Sequence, residues 1–199
     1  MTQWINPNQS NFYGHWLLRD GKKSVDYYNQ KCLERREKYS YKLDDKYKLY
    51  VDELKEKGYC KIENFFDKEI LHELRDETLE LIKSNKNLKL RNDDHVMIDQ
   101  PLFNTKTAAK IVFDDRIIEI ATSFYNCVPA IGTNNLRQSY ANNLPPTGTN
   151  LFHRDFNSIK IMKFFFYLND VNIDNGPFTY VEGSNKKIFK GWNIKQRWQ

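Results

Sequence analysis

The sequence predicts an α+β fold with helices first and strands second, and three observations carry that reading. Apolar residues recur at helical spacing in several stretches before Cys127. After Cys127 the chain changes to short apolar and aromatic runs separated by Pro, Gly and Asn clusters. The longest of these, Ile159 to Leu168 (IKIMKFFFYL), shows little alternation. A strand of that kind suits burial on both faces, as in a barrel or jelly roll with helices packed outside. The chain has 199 residues, 40% of them hydrophobic and 15% aromatic, which is one domain's worth of core with room for a terminal extension.

The first fifteen or so residues are polar, with a Pro and a Gly, and read as irregular chain. From Ser24, which can cap, to Lys57 the stretch is charged and rich in Tyr, and Leu43, Tyr47, Tyr50, Val51 and Leu54 fall at helical spacing. Gly58 supplies the stop. Tyr59 to Phe65 reads as a short strand. The clearest helix follows in DKEILHELRDETLELI, where Asp67 can cap and Phe66 and Leu71 can staple the first turn. Its stripe is Ile70, Leu71, Leu74, Thr78, Leu81 and Ile82. A second helix is expected from Asp115 to Tyr125, with Ile117, Ile118, Ala121, Phe124 and Tyr125 on one face. Four strand-like stretches come next: Val128 to Asn142, Asn150 to Phe156, Ile159 to Val171 and Phe178 to Glu182. Leu-Pro-Pro-Thr-Gly at 144–148 and Asn-Ile-Asp-Asn-Gly at 172–176 separate them, the latter with an Asn-Gly pair that favours a tight hairpin turn.

Composition narrows the function classes. The net charge is +5, but the segment 186–199 (KKIFKGWNIKQRWQ) holds five bases and no acid, which accounts for all of it. The other residues are balanced, so no global field argues for nucleic acid or an anionic membrane as partner. The longest uninterrupted apolar run, Phe164 to Leu168, is far short of the ~18 residues of a spanning helix, and MTQWINPNQS lacks a signal pattern, so a soluble, unsecreted chain is expected. Cys32, Cys60 and Cys127 are odd in number and lack Cys-x-x-Cys spacing, which fits a reducing cytosol better than a disulfide framework or a thiolate zinc site.

The feature richest in chemistry is His153-Arg154-Asp155. On a strand, residues two apart share a face about 7 Å apart, so His153 and Asp155 can converge on one point while Arg154 faces away. An imidazole and a carboxylate, completed by a second imidazole, make the facial triad that holds Fe(II) and leaves positions open for substrate and dioxygen. With 4 His and 15 Asp in the chain, chance alone yields about 0.3 such triplets. A surface ion pair is the commoner fate of an isolated one.

The surrounding order of motifs resembles the phytanoyl-CoA dioxygenase-like family of Fe(II)/2-oxoglutarate oxygenases. That family's pattern is an H-x-D strand, an apolar strand ending near Leu-x-Asp, an Asn-Gly-Pro turn and a strand ending in Gly-Ser-His. Here these stand as His153-Arg154-Asp155, Phe166 to Asp170, Asn175-Gly176-Pro177 and Gly183-Ser184-Asn185. Gly58-Tyr59 and Glu63-Asn64-Phe65-Phe66-Asp67 also look like the family's amino-terminal part. The resemblance covers roughly residues 45–190 and implies a helical part followed by a double-stranded β-helix, incomplete at the carboxy terminus, in an oxygenase domain taken as 45–199 after a partly helical extension, 1–44. It further implies His153 and Asp155 as iron ligands, 2-oxoglutarate as co-substrate, and hydroxylation of a C–H bond in a small-molecule or lipid-like substrate. Gln138 and Tyr140, or their neighbours Arg137 and Ser139, face the site from the preceding strand. The first pair is the candidate for contacting 2-oxoglutarate, with Tyr140 as ordinary core the alternative.

Two departures shape the expectation. Asn185 replaces the His of Gly-Ser-His, which is not a metal ligand in the pattern. The pattern's second iron histidine and its 2-oxoglutarate-anchoring Arg should follow several dozen residues later, whereas the fourteen residues after Asn185 contain no His. His15 and His72 are poor substitutes, and His95 in NDDHVMID is the nearest stand-in. A chain truncated at its carboxy terminus is therefore expected, with little turnover by itself. The rival readings are a non-catalytic jelly-roll binding module and one half of a split oxygenase completed by a second chain.

Overall fold

The computed structural model describes residues 21–38, 45–84, 88–90, 95–143, 145, 150–153 and 160–186. Helix α1 is Gly21–Lys38, a one-turn 3-10 helix covers Asp45–Tyr47, and α2 (Lys48–Lys57) continues from it. Helix α3 spans Lys68–Ser84. Strands β1 (Leu88–Leu90) and β2 (His95–Asp99) lead through a 3-10 turn at Pro101–Phe103 to α4 (Lys106–Val112) and α5 (Asp115–Tyr125). Strand β3 (Asn135–Ser139) and a 3-10 turn at Ile173–Asn175 complete the order. The sheet is antiparallel, in the order β1-β2-β3, with Val96 opposite Gln138 and Met97 opposite Arg137.

The two helices with the clearest periodicity form where the sequence places them. In α3, Leu74 and Thr78 are buried and Ile70 and Leu71 pack on the core, so the expected stripe is the buried face. Helix α5 begins where the Asp114 carboxylate accepts from the Arg116 amide, satisfying one of the orphan donors of the first turn. Its buried face is Ile117, Ile120, Ala121 and Thr122, rotated slightly from the expected one. Gly58 ends α2 as expected, at φ 87° with its amide donating to the Leu54 carbonyl. It has a second reason to be glycine, because a Cβ there would run into the Tyr180 hydroxyl and the Asn185 side chain. The amide of Gly183 donates to the Lys57 carbonyl at 2.8 Å, so the end of α2 is also the dock for residues 180–185.

Elsewhere the structure departs from expectation. The helical stretch expected from Ser24 to Lys57 is two helices, and α1 starts at Gly21, ahead of Ser24. Tyr59 to Phe65 is not a strand. Asn64 takes φ 52° in a turn, and a left-handed residue cannot sit in a pleated ladder. Strands β1 and β2 and helix α4 have no counterpart among the expected elements, because β1 is three residues long and α4 seven, too short for periodicity to register. Of the four stretches expected as strands after Cys127, only 135–139 pairs among the described residues. Residues 150–153, 160–171 and 178–182 run without a hydrogen-bonded neighbouring strand, and a β-ladder needs that partner for its amides and carbonyls. The irregular leader, Leu43, most of the 144–148 turn, residues 154–159 and the basic tail beyond Lys186 lie outside the described residues.

At 172–176 the expected hairpin turn is a 3-10 turn instead. The Asn172 side chain accepts from the Asp174 amide, the Asn175 side chain accepts from the Asn172 amide, and Gly176 leaves at φ 67°. The expected double-stranded β-helix is thus not formed among the described residues, whose architecture is mixed helix and sheet. Among them no helix is long and apolar enough to cross a membrane.

The core lies between α3, α4 and α5. Phe66, Leu74, Ala108, Ile111 and Ile117 form its buried centre, with Leu136 of β3 and Phe166 and Leu168 packed against it. Each of the large side chains contributes roughly 1.5–3 kcal/mol when fully buried. The Phe66 and Phe166 rings meet edge to face at 5.5 Å, which draws the 160–168 segment onto the helices.

Candidate active site

Strand β3 and the end of α5 contact the described residues on either side of the H-x-D motif. Opposite residues of an antiparallel pair share a face, so Val96, Ile98, Leu136 and Gln138 line the core side, and His95, Met97, Arg137 and Ser139 the other. The Arg137 guanidinium donates to the Asn150 side chain at 3.4 Å, three residues before His153. On the far side of the motif, the Tyr125 hydroxyl donates to the Lys160 carbonyl at 3.3 Å, and the Lys160 ammonium donates to the Phe124 carbonyl at 3.0 Å. The stretch carrying the motif is therefore fixed to β3 at one end and to the end of α5 at the other.

Lys160 completes its anchor with a cation-π contact, its ammonium 4.1 Å from the Phe124 ring centre. Burial lowers its pKa and raises that of the Tyr125 phenol. A lysine that satisfies a carbonyl at a helix C-terminus is well placed for the helix dipole. Neither anchor is evident from the sequence, because each joins residues 13 or 35 apart.

His153 is half-buried, and its Nδ1 lies 2.7 Å from the Leu151 carbonyl. A carbonyl only accepts, so Nδ1 donates the proton in this contact, which in a neutral ring puts the lone pair on Nε2. That is the tautomer of an imidazole that ligates through Nε2 with its other nitrogen held by a backbone carbonyl. Asp155, the second expected ligand, lies outside the described residues, as do Arg154 and His15. Among the described residues no three His, Cys, Asp or Glu side chains gather into a metal-sized cluster.

The other candidate residues lie on and beside β3. Gln138 is half-buried on the core side, and the Tyr140 hydroxyl, on a residue 41% exposed, donates to its amide oxygen at 3.5 Å. These two meet each other, while Arg137 makes the bridge to the 150–153 segment. That exposure sets Tyr140 apart from the buried core. His95 stands on the Arg137 side of the sheet, opposite Ser139, and His72 is exposed on α3.

The family model for phytanoyl-CoA dioxygenase matches residues 54–196, more than two thirds of the chain. The chain belongs to the phytanoyl-CoA dioxygenase family. No curated protein and no solved structure matches it significantly. The span shared with the phytanoyl-CoA dioxygenase family begins within α2 and includes β3, both anchors and the His153-Arg154-Asp155 motif. Membership of that family implies the Fe(II)/2-oxoglutarate-dependent oxygenase superfamily.

Proposed function

We propose that this chain is an Fe(II)- and 2-oxoglutarate-dependent dioxygenase that hydroxylates a C–H bond of a small-molecule or lipid-like substrate. The observation that carries the reading is the family match across the H-x-D motif, supported by the His153 tautomer. His153 and Asp155 would hold the iron, and the bound metal supplies activation of dioxygen coupled to decarboxylation of 2-oxoglutarate. The chain's own residues do the positioning. The Leu151 carbonyl orients the His153 ring, and Arg137 and Lys160 fix the two ends of the motif's stretch. Gln138 and Tyr140 are the proposed 2-oxoglutarate contacts, from β3 and the residue after it.

We assign 45–199 to the oxygenase domain and 1–44 to an extension; the family match itself covers residues 54–196. A cytosolic setting is inferred from the cysteine usage.

The test is an anaerobic Fe(II) titration of the full chain followed by calorimetry, with and without 2-oxoglutarate. His153→Ala and Asp155→Asn should each weaken iron binding by at least about tenfold, since even the partners that orient metal ligands are worth that much. Unchanged iron affinity in both variants would reject the assignment and favour a binding module.

A further inference from the structure

Two cysteines that are 95 positions apart in the sequence meet where α1 touches the end of α5. Cys127 is buried, at 5% exposure, and an interaction with the Cys32 thiol is among the causes that raise its pKa. The contact has independent support in the backbone. Arg35, one turn on from Cys32 on the same half-buried face of α1, donates from Nε to the Val128 carbonyl at 2.7 Å. This holds Cys32 against the residue preceding Val128. Lys160, anchored on Phe124, and Arg35 both favour a thiolate at Cys127, against the burial that disfavours it.

We propose that Cys32 and Cys127 form a reversible intramolecular disulfide when the protein meets hydrogen peroxide, tying α1 to the end of α5. Cys32 is the more exposed of the two and reacts first. Its thiolate attacks one peroxide oxygen, the O–O bond breaks, and the departing hydroxide takes up the proton that Cys32 gave up, forming water and a Cys32 sulfenic acid. The Cys127 sulfur then attacks the Cys32 sulfur, and the S–O bond breaks. Hydroxide leaves with the Cys127 proton as a second water. Two thiols lose two electrons and two protons, and one peroxide becomes two waters. Burial pushes the Cys127 thiol up to about 11, which slows its own reaction with peroxide and leaves the first step to Cys32. Cys60 is set apart, with burial and Glu53 pushing its thiol up to about 12.

The experiment treats the reduced full chain with equimolar hydrogen peroxide and reads intact mass and a non-reducing peptide map. The expected product is about 2 Da lighter, carries a Cys32–Cys127 linkage, retains Cys60 as a thiol and returns to the starting mass with dithiothreitol. In Cys127→Ser the Cys32 sulfenic acid should persist and be trapped by dimedone, and Cys60→Ser should form the linkage normally. A linkage involving Cys60, an intermolecular dimer, or three thiols surviving treatment would each overturn the proposal.

Discussion

Arg116 shows how much one side chain can join. Its guanidinium makes paired hydrogen bonds with the Asp114 carboxylate at 2.8 and 2.9 Å, donates to the Phe65 carbonyl at 2.8 Å, and lies 4.5 Å from the centre of the Phe65 ring. The hydrogen bonds from Arg116 hold the Asp114 carboxyl below the usual carboxylate range. A carboxyl lowered by folding contributes stability that is present above its unfolded pKa of about 3.9 and is lost as pH falls through the lower folded value. Urea midpoints measured between pH 7 and pH 2 should therefore fall less steeply at the acid end in Arg116→Ala than in the parent. Equal acid slopes would dismiss the pairing as a source of stability. None of this could be read from the sequence, where Asp114 and Arg116 appear only as neighbours of a helix start.

At the scale of the element, short pieces depend on their ends. Helix α4 has seven residues, too few to hold by propensity, and the Thr105 hydroxyl accepts from the Ala108 amide at 3.0 Å to cap it. Thr105→Ala should lower unfolding stability by about 1 kcal/mol and Thr105→Ser by much less. Chemical denaturation reads the difference, and equal losses in the two variants would point to packing of the Thr105 methyl group instead. Helices α3 and α5 are legible in the sequence because each repeats its apolar residues over three turns or more. Strand β3 falls inside the expected stretch Val128 to Asn142, but β1 and β2 are not legible, because β1 has three residues and β2 is fixed by pairing with β1 and β3. A pairing partner about 40 residues away leaves no local mark.

For the whole molecule, the 160–168 segment links the core to the candidate site. Phe166 packs on the core, whereas its neighbour Phe165 is 55% exposed and stacks on Phe178 at 4.6 Å. Phe166→Ala should cost about 2–4 kcal/mol and expose the segment to limited proteolysis, while Phe165→Ala should cost under about 1 kcal/mol. Similar losses in both would mean that the segment is not held through Phe166. The sequence by itself determined the family, since the order of motifs from Gly58 to Asn185 is a property of the chain alone, along with the two long helices and the stop at Gly58. The tertiary structure decided which residues anchor the motif, which nitrogen of His153 carries its proton and which cysteines meet. The anchors and the cysteine pair rest on contacts between residues far apart in the chain, and the proton on His153 rests on how the backbone turns at Leu151. Local periodicity carries no information about either.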